Sequence, residues 1–200
     1  MKEMSRTFAL TELYREAATL IMILAVSILA AEKWRHRFAW FLVIFAVWDP
    51  AYYLFLKIIL DWPSSFLTND ILFLLPSIRT SPVLAPVINS MTMILFASVI
   101  LYVGKACLPV VLLSKLIWAL LILDTFIVLI AYMKDFAAYA SEYNLSNPAT
   151  GISREKDMLF MTTQFIPRSF DWLLFSSGVL LHISAVALIL YNRIKNLAGQ

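Results

Sequence analysis

The sequence predicts an all-α, polytopic membrane protein: five transmembrane helices with a re-entrant or interfacial segment between the second and third. Three observations carry this. Of the 200 residues, 62% are hydrophobic and 14% charged, against about 45–50% and 25% in a soluble domain, and the mean hydropathy is +0.82. That is more apolar surface than one water-soluble core buries. The apolar residues also fall in continuous runs of roughly twenty, enough for a helix rising about 1.5 Å per residue to cross a hydrocarbon core of about 30 Å. Finally, the runs do not alternate over about ten residues, as the strands of an outer-membrane barrel do. A single transmembrane helical domain is expected over residues 1–200, with spans at about 11–32, 38–60, 83–103, 110–133 and 169–191.

The first span carries Glu12, Arg15, Glu16 and Thr19 near its outer end and Ser27 deeper. Arg15 and Glu16 read as surface or interfacial groups, with Glu16 also able to face an external mouth. Acidic and basic residues alternate through MKEMSRTFALTELYREAATL, and no A-x-A site follows. This stretch is expected to belong to the mature protein.

The second span contains Asp49, twelfth in a run of 23 residues and near mid-membrane by counting. A carboxylate there costs about 2.5–3.5 kcal/mol on insertion scales. Pro50 follows it, and Asp then Pro is how a helix begins. A break at Trp48–Asp49 and a half-helix from Pro50 to Leu60 are therefore expected. Tyr53 and Lys57 follow Asp49 by four and eight residues, on one helical stripe. An acid, a phenol and an amine in a row read either as a packing lock or as a polar pocket.

Between the second and third spans lies DWPSSFLTNDILFLLPSIRTSP. Its apolar part, Ile71 to Leu75, is too short to span. Pro63 and Pro76 flank it, and Thr68, Asn69 and Asp70 precede it as helix caps. A re-entrant or interfacial helical turn is expected, covered by protein or water. Trp62 reads as an interfacial anchor and Asp61 as a cap. Asp70 reads as a cap or as a carboxylate at the mouth of the pocket, with Arg79 as its partner.

In the fourth span Asp124 lies midway and Lys115 near the start. Nine residues apart, they face opposite sides. Lys115 can snorkel to the interface. Asp124 needs a partner on another helix, with Lys57, Tyr53 and His182 as candidates. Helical spacing continues through Phe136, Tyr139 and Tyr143, NLSNPATG reads as a turn, and REKDMLFMTTQF as a second interfacial helix. The fifth span places Asp171, Phe175, Gly178 and His182 on one face. Gly178 permits close helix contact, and His182 reads as a packed, hydrogen-bonded residue or a titrating one.

Lysine and arginine set the expected orientation. Lys33, Arg35 and Arg37, then Lys105, then Arg193 and Lys195 share one side if there are five spans. That places the N-terminus outside and the C-terminus in the cytosol.

Several classes are excluded. The single cysteine, Cys107, forms no intrachain disulfide and no cysteine-rich metal site. Two histidines, one in a basic loop, do not make a bis-histidine haem site. No P-loop, G-x-S-x-G or H-E-x-x-H motif occurs. A scattered net charge of +3 does not draw nucleic acid. No metal and no cofactor is expected. With four glycines there are no glycine-broken repeats of the kind that mark many secondary transporters.

The segments REAATLIMILAVSILA, WDPAYYLFLK, DWPSSFLTNDILFLLP and SPVLAPV, from Arg15 to about Val87, with FDWLLFSSG near the end, resemble an uncharacterised family of small polytopic bacterial membrane proteins. Its pattern is W-D-x-x-Y-Y, L-K, W-P, then D-I-L-F. Pro50 departs from it, standing where an ordinary apolar residue is expected. The resemblance implies a multi-pass protein of the bacterial inner membrane and implies no activity.

Three function classes follow, in order. The first is ion or small-solute handling through an intramembrane polar pocket of Asp49, Tyr53, Lys57, Asp70, Asp124 and His182, with Glu16, Trp62, Arg79 and Asp171 as secondary candidates. The second is an accessory or sensor subunit. The third is a membrane-embedded enzyme acting on lipid or quinone, with an Asp–Tyr–Lys group as acid and base. The expected partners are the lipid bilayer and a second copy or another membrane protein.

Overall fold

A computed structural model describes residues 6–73, 79–105, 114–146, 165, 167 and 169–198. The described chain is a helical bundle with one small hairpin. Helix α1 runs Arg6–Leu29 and α2 Trp34–Leu60; strands β1 (Asn69–Phe73) and β2 (Arg79–Pro82) follow. Then come α3 (Leu84–Lys105), α4 (Lys115–Ser146) and α5 (Trp172–Ala198).

Four helices, α2 to α5, are long and apolar enough to cross a membrane. α1 is a helix of 24 residues, but no stretch of it long enough to cross is free of Glu12, Arg15 and Glu16. α1 packs on α2, α2 along α3, α3 against α5, and α5 along α4. Fully buried alanines, among them Ala39, Ala97 and Ala185, let the backbones approach. Outer faces carry exposed leucine, isoleucine and phenylalanine, such as Ile58, Leu173 and Leu180, which suits a lipid-facing surface.

Two expectations are corrected. Helix α2 does not break at Trp48–Asp49; it continues through Pro50. A broken helix in lipid would strand several backbone groups, whereas one interior proline forfeits a single hydrogen bond. The described part of the segment after α2 is not a helical turn. Asn69–Phe73 is extended and pairs antiparallel with Arg79–Pro82, Asn69 opposite Pro82 and Asp70 opposite Ser81. A helix between two nearby prolines would leave most of its terminal N–H groups unbonded; the ladder gives them partners. Val83 N–H and Leu84 N–H close the base by donating to the Thr68 and Phe66 carbonyls. An isolated two-stranded hairpin is marginal, and this one rests on the bundle. Thr80 and Ser81 are buried, and β2 packs on α4 and α3.

Asp61 ends α2 in the left-handed region at φ 52°, which aspartate tolerates better than most residues. Lys57, in the last turn, pairs with it at 2.7 Å and donates to the Pro63 carbonyl at 3.2 Å. An ammonium is favoured at a helix C-terminus. Beyond the fourth span, α4 continues as far as Ser146. The expected turn thus begins as helix; its later part and nearly all of the expected second interfacial helix lie outside the described residues, as does Cys107.

Candidate functional site

The bundle has two apolar clusters. One gathers Phe96, Ile117, Leu121, Val186 and Ile189. The other gathers Ala85, Val128, Ala131, Tyr132 and Phe175 beneath the hairpin. A cavity of about 520 Å³ lies against both, walled by α2, α3, α4, α5 and the hairpin. α2 and α4 meet at one end, where Phe38 and Trp118 have ring centroids 5.8 Å apart. Most of the wall is apolar, and the polar groups that enter it are few.

At mid-bundle are Asp124 and His182. His182 Nδ1 and Asp124 Oδ2 share a hydrogen bond of 2.6 Å. Both side chains are buried, 7% exposed for Asp124 and 13% for His182. The Thr125 hydroxyl lies 3.0 Å from the other carboxylate oxygen. Gly178 makes the approach of the two helices feasible. A Cβ there would stand 2.7 Å from Val128 Cγ2 and 3.3 Å from the Asp124 carbonyl oxygen. On the far side of the imidazole, Nε2 is buried without a hydrogen-bond partner, and the ring edge meets Phe96 at 5.4 Å. An imidazole held by a carboxylate at one nitrogen and open at the other is the arrangement a proton relay needs.

At the hairpin end the cavity is lined by Asp49, Arg79 and Tyr132. Asp49 faces the buried Ser90 hydroxyl and the Asp70 carboxylate. The Tyr53 hydroxyl donates to Asp70 Oδ2 at 3.1 Å. Burial pushes the Asp70 carboxyl above the usual range, opposed by that hydrogen bond and by one from the Ile71 N–H. Glu16, on α1, is 3% exposed and acts on Arg79; burial lowers the guanidinium's pKa and Glu16 raises it. Tyr132 is 6% exposed and its hydroxyl has no hydrogen-bond partner.

The polar residues expected from the sequence therefore separate. Asp49, Asp124, His182 and Arg79 line one cavity. Tyr53 and Asp70 bond to each other beside it, with Trp62 against the Tyr53 ring at 6.4 Å. Glu16 is buried at the same end, a correction of its surface reading, while Arg15 is exposed. Lys57 is drawn off to Asp61. Asp171 caps α5, accepting from Leu174 N–H at 3.0 Å, and pairs with Lys134 at 2.5 Å. That ammonium holds the Asp171 carboxyl below the usual range. Sequence reasoning missed Tyr132, whose signal was its place eight residues after Asp124 on one helix face. It also missed Ser90, Asn89 and Lys134, which carry no comparable signal.

No protein family, curated protein or solved structure matches the chain. Among the described residues, no three histidine, cysteine, aspartate or glutamate side chains gather to hold a metal ion.

Proposed function

We propose that this is a multi-pass protein of the bacterial inner membrane that takes a small solute into its intramembrane cavity and couples that to a proton on the Asp124–His182 pair. The observation that carries the reading is the convergence of Asp49, Asp124 and His182 on one cavity. Intramembrane ionisable residues facing a cavity mark substrate and proton pathways. The accessory-subunit reading wants these groups on an outer face; their place inside supports the solute reading instead. The Tyr53–Lys57 half of the expected acid–base group is spent elsewhere, which leaves the enzyme reading without its amine.

In this reading α1 is the fifth crossing, its Glu16 matched by Arg79, and the hairpin is the re-entrant piece. The N-terminus then lies outside and the C-terminus in the cytosol. Cysteines placed at Arg35 and Ser146 in a Cys107→Ala background should react with a membrane-impermeant thiol reagent from opposite faces. Reaction of both from the same face would end the five-crossing arrangement.

The function is tested with Asp124→Asn, which keeps size and hydrogen bonding and removes titration. Vesicles loaded with a pH-sensitive dye would be given steps between about pH 5 and 8, the range in which a histidine changes charge, with amine, neutral and carboxylate solutes added in turn. The wild-type protein should move protons with one class of solute, and Asp124→Asn should abolish that movement while melting as the wild type does. Wild-type vesicles indistinguishable from empty ones with every class would refute the proposal.

A further inference from the structure

We propose that the hairpin end of the cavity seats a lipophilic ammonium ion, an apolar body bearing one protonated amine. This rests on the solute-binding reading above and names the class of solute. Asp49 and Asp70 are close enough for one carboxylate to act on the other, and among the described residues no lysine or arginine forms an ion pair with either. Arg79 is at this end too, but Glu16 faces it. Among the described residues, three carboxylates against one guanidinium leave an excess of negative charge, and in a low-dielectric site such an excess calls for protons or a cation.

Tyr132 supplies an independent observation. Its side chain is more than nine-tenths buried, its oxygen lacks a partner, and it lines the cavity within reach of the Asp49 charge. A phenol oxygen accepts an N–H, so the amine would find a countercharge on Asp49 and an acceptor on Tyr132. An anion would meet the Asp49 carboxylate, with Asp70 beside it, and be repelled. A neutral head would leave their charge uncompensated.

The remaining wall fits the body of such a molecule. Phe45, Phe96 and Trp118 present aromatic surface, which binds apolar groups and attracts cations to its faces. The volume of about 520 Å³ lies within the range of about 300–1,000 Å³ that holds drug-sized ligands. Ile122 and Phe126 line the cavity and are also more than half exposed. The cavity therefore reaches the apolar flank of the bundle, where a lipophilic molecule resides.

Three ligands with one body and different heads test this: 3,3-diphenylpropylamine, the matching alcohol and the matching carboxylate. Binding would be measured by titration calorimetry on the full chain in lipid nanodiscs, with empty nanodiscs subtracted. The amine should saturate and bind at least about tenfold more tightly than either analogue, a difference of about 1.4 kcal/mol. Asp49→Asn should lose at least about tenfold. Tyr132→Phe, which keeps the ring, should weaken the amine and leave the alcohol unchanged. Asp61→Asn, at a carboxylate 91% exposed and outside the cavity, should bind as the wild type does. Equal binding of all three ligands overturns the assignment, as does wild-type amine affinity in both cavity variants. Amine binding without proton-linked flux in vesicles keeps the ligand class and removes the proton coupling. Flux of a neutral or anionic solute by a chain that does not bind the amine removes the ligand class and keeps the solute-handling reading.

Discussion

Replacing His182 with alanine should cost about 1–3 kcal/mol of stability, the penalty for leaving a buried hydrogen-bonding group without its partner. The loss leaves the Asp124 side chain, 7% exposed, with the Thr125 hydroxyl in place of a 2.6 Å bond to imidazole. Asp124→Ala should also destabilise, because it leaves His182 Nδ1 without its hydrogen-bond partner. The double variant should cost less than the sum of the two single ones, since removing both groups leaves no buried polar group without its partner. A denaturation cycle in detergent, with all four proteins measured under one condition, reads the coupling directly. Additive losses would show that the two side chains do not stabilise each other, and the proton-relay reading would lose its structural basis.

Gly178→Ala should destabilise by about 1–3 kcal/mol, the usual cost of overpacking a close contact. The added methyl would stand 2.7 Å from Val128 Cγ2 and 3.3 Å from the Asp124 carbonyl oxygen. The first neighbour is a stiff β-branched side chain and the second is backbone. α5 must then move away from α4, and the Asp124–His182 bond one turn deeper should lengthen with it. Gly178→Ala combined with Val128→Ala should recover part of the loss, because the nearer obstacle is gone. Unchanged melting of Gly178→Ala would show that α4 and α5 have slack at this level. No rescue by Val128→Ala would place the strain on the backbone instead.

Much of the bundle is legible in the chain because long apolar runs leave few options. Continuous apolar runs are best satisfied as helices where no water bonds the backbone, and α2 to α5 are helices long and apolar enough to cross a membrane. Pro50 shows the same rule working against a local signal. Asp-Pro opens helices in water, yet the apolar context carries α2 through it. The hairpin shows the reverse. Helix caps before Ile71 read as a helix start, but prolines near both ends of a short segment left too little room for one, and pairing with Arg79–Pro82 satisfied more backbone groups. The stripe of Asp49, Tyr53 and Lys57 was visible at helical spacing, and spacing is all that was visible. It could not show that Asp61 would turn back to take Lys57, or that Asp70 would fold over to take Tyr53.

By itself the sequence determined that this chain folds as apolar helices, that Asp124 needed help from another helix, and that Gly178 could bring two helices close. Each follows from local chemistry: hydrocarbon burial, the cost of a mid-span carboxylate, and the absence of a Cβ. Only the tertiary structure decided which polar groups meet. His182 is 58 residues from Asp124 along the chain, and Asp49, Arg79 and Tyr132 come from three different elements to one end of the same cavity. Partner choice among buried charges depends on helix order, rotation and depth. These are set by the packing of many apolar side chains, such as Phe96, Val128 and Phe175, none of which carries any mark of the charge it helps to place.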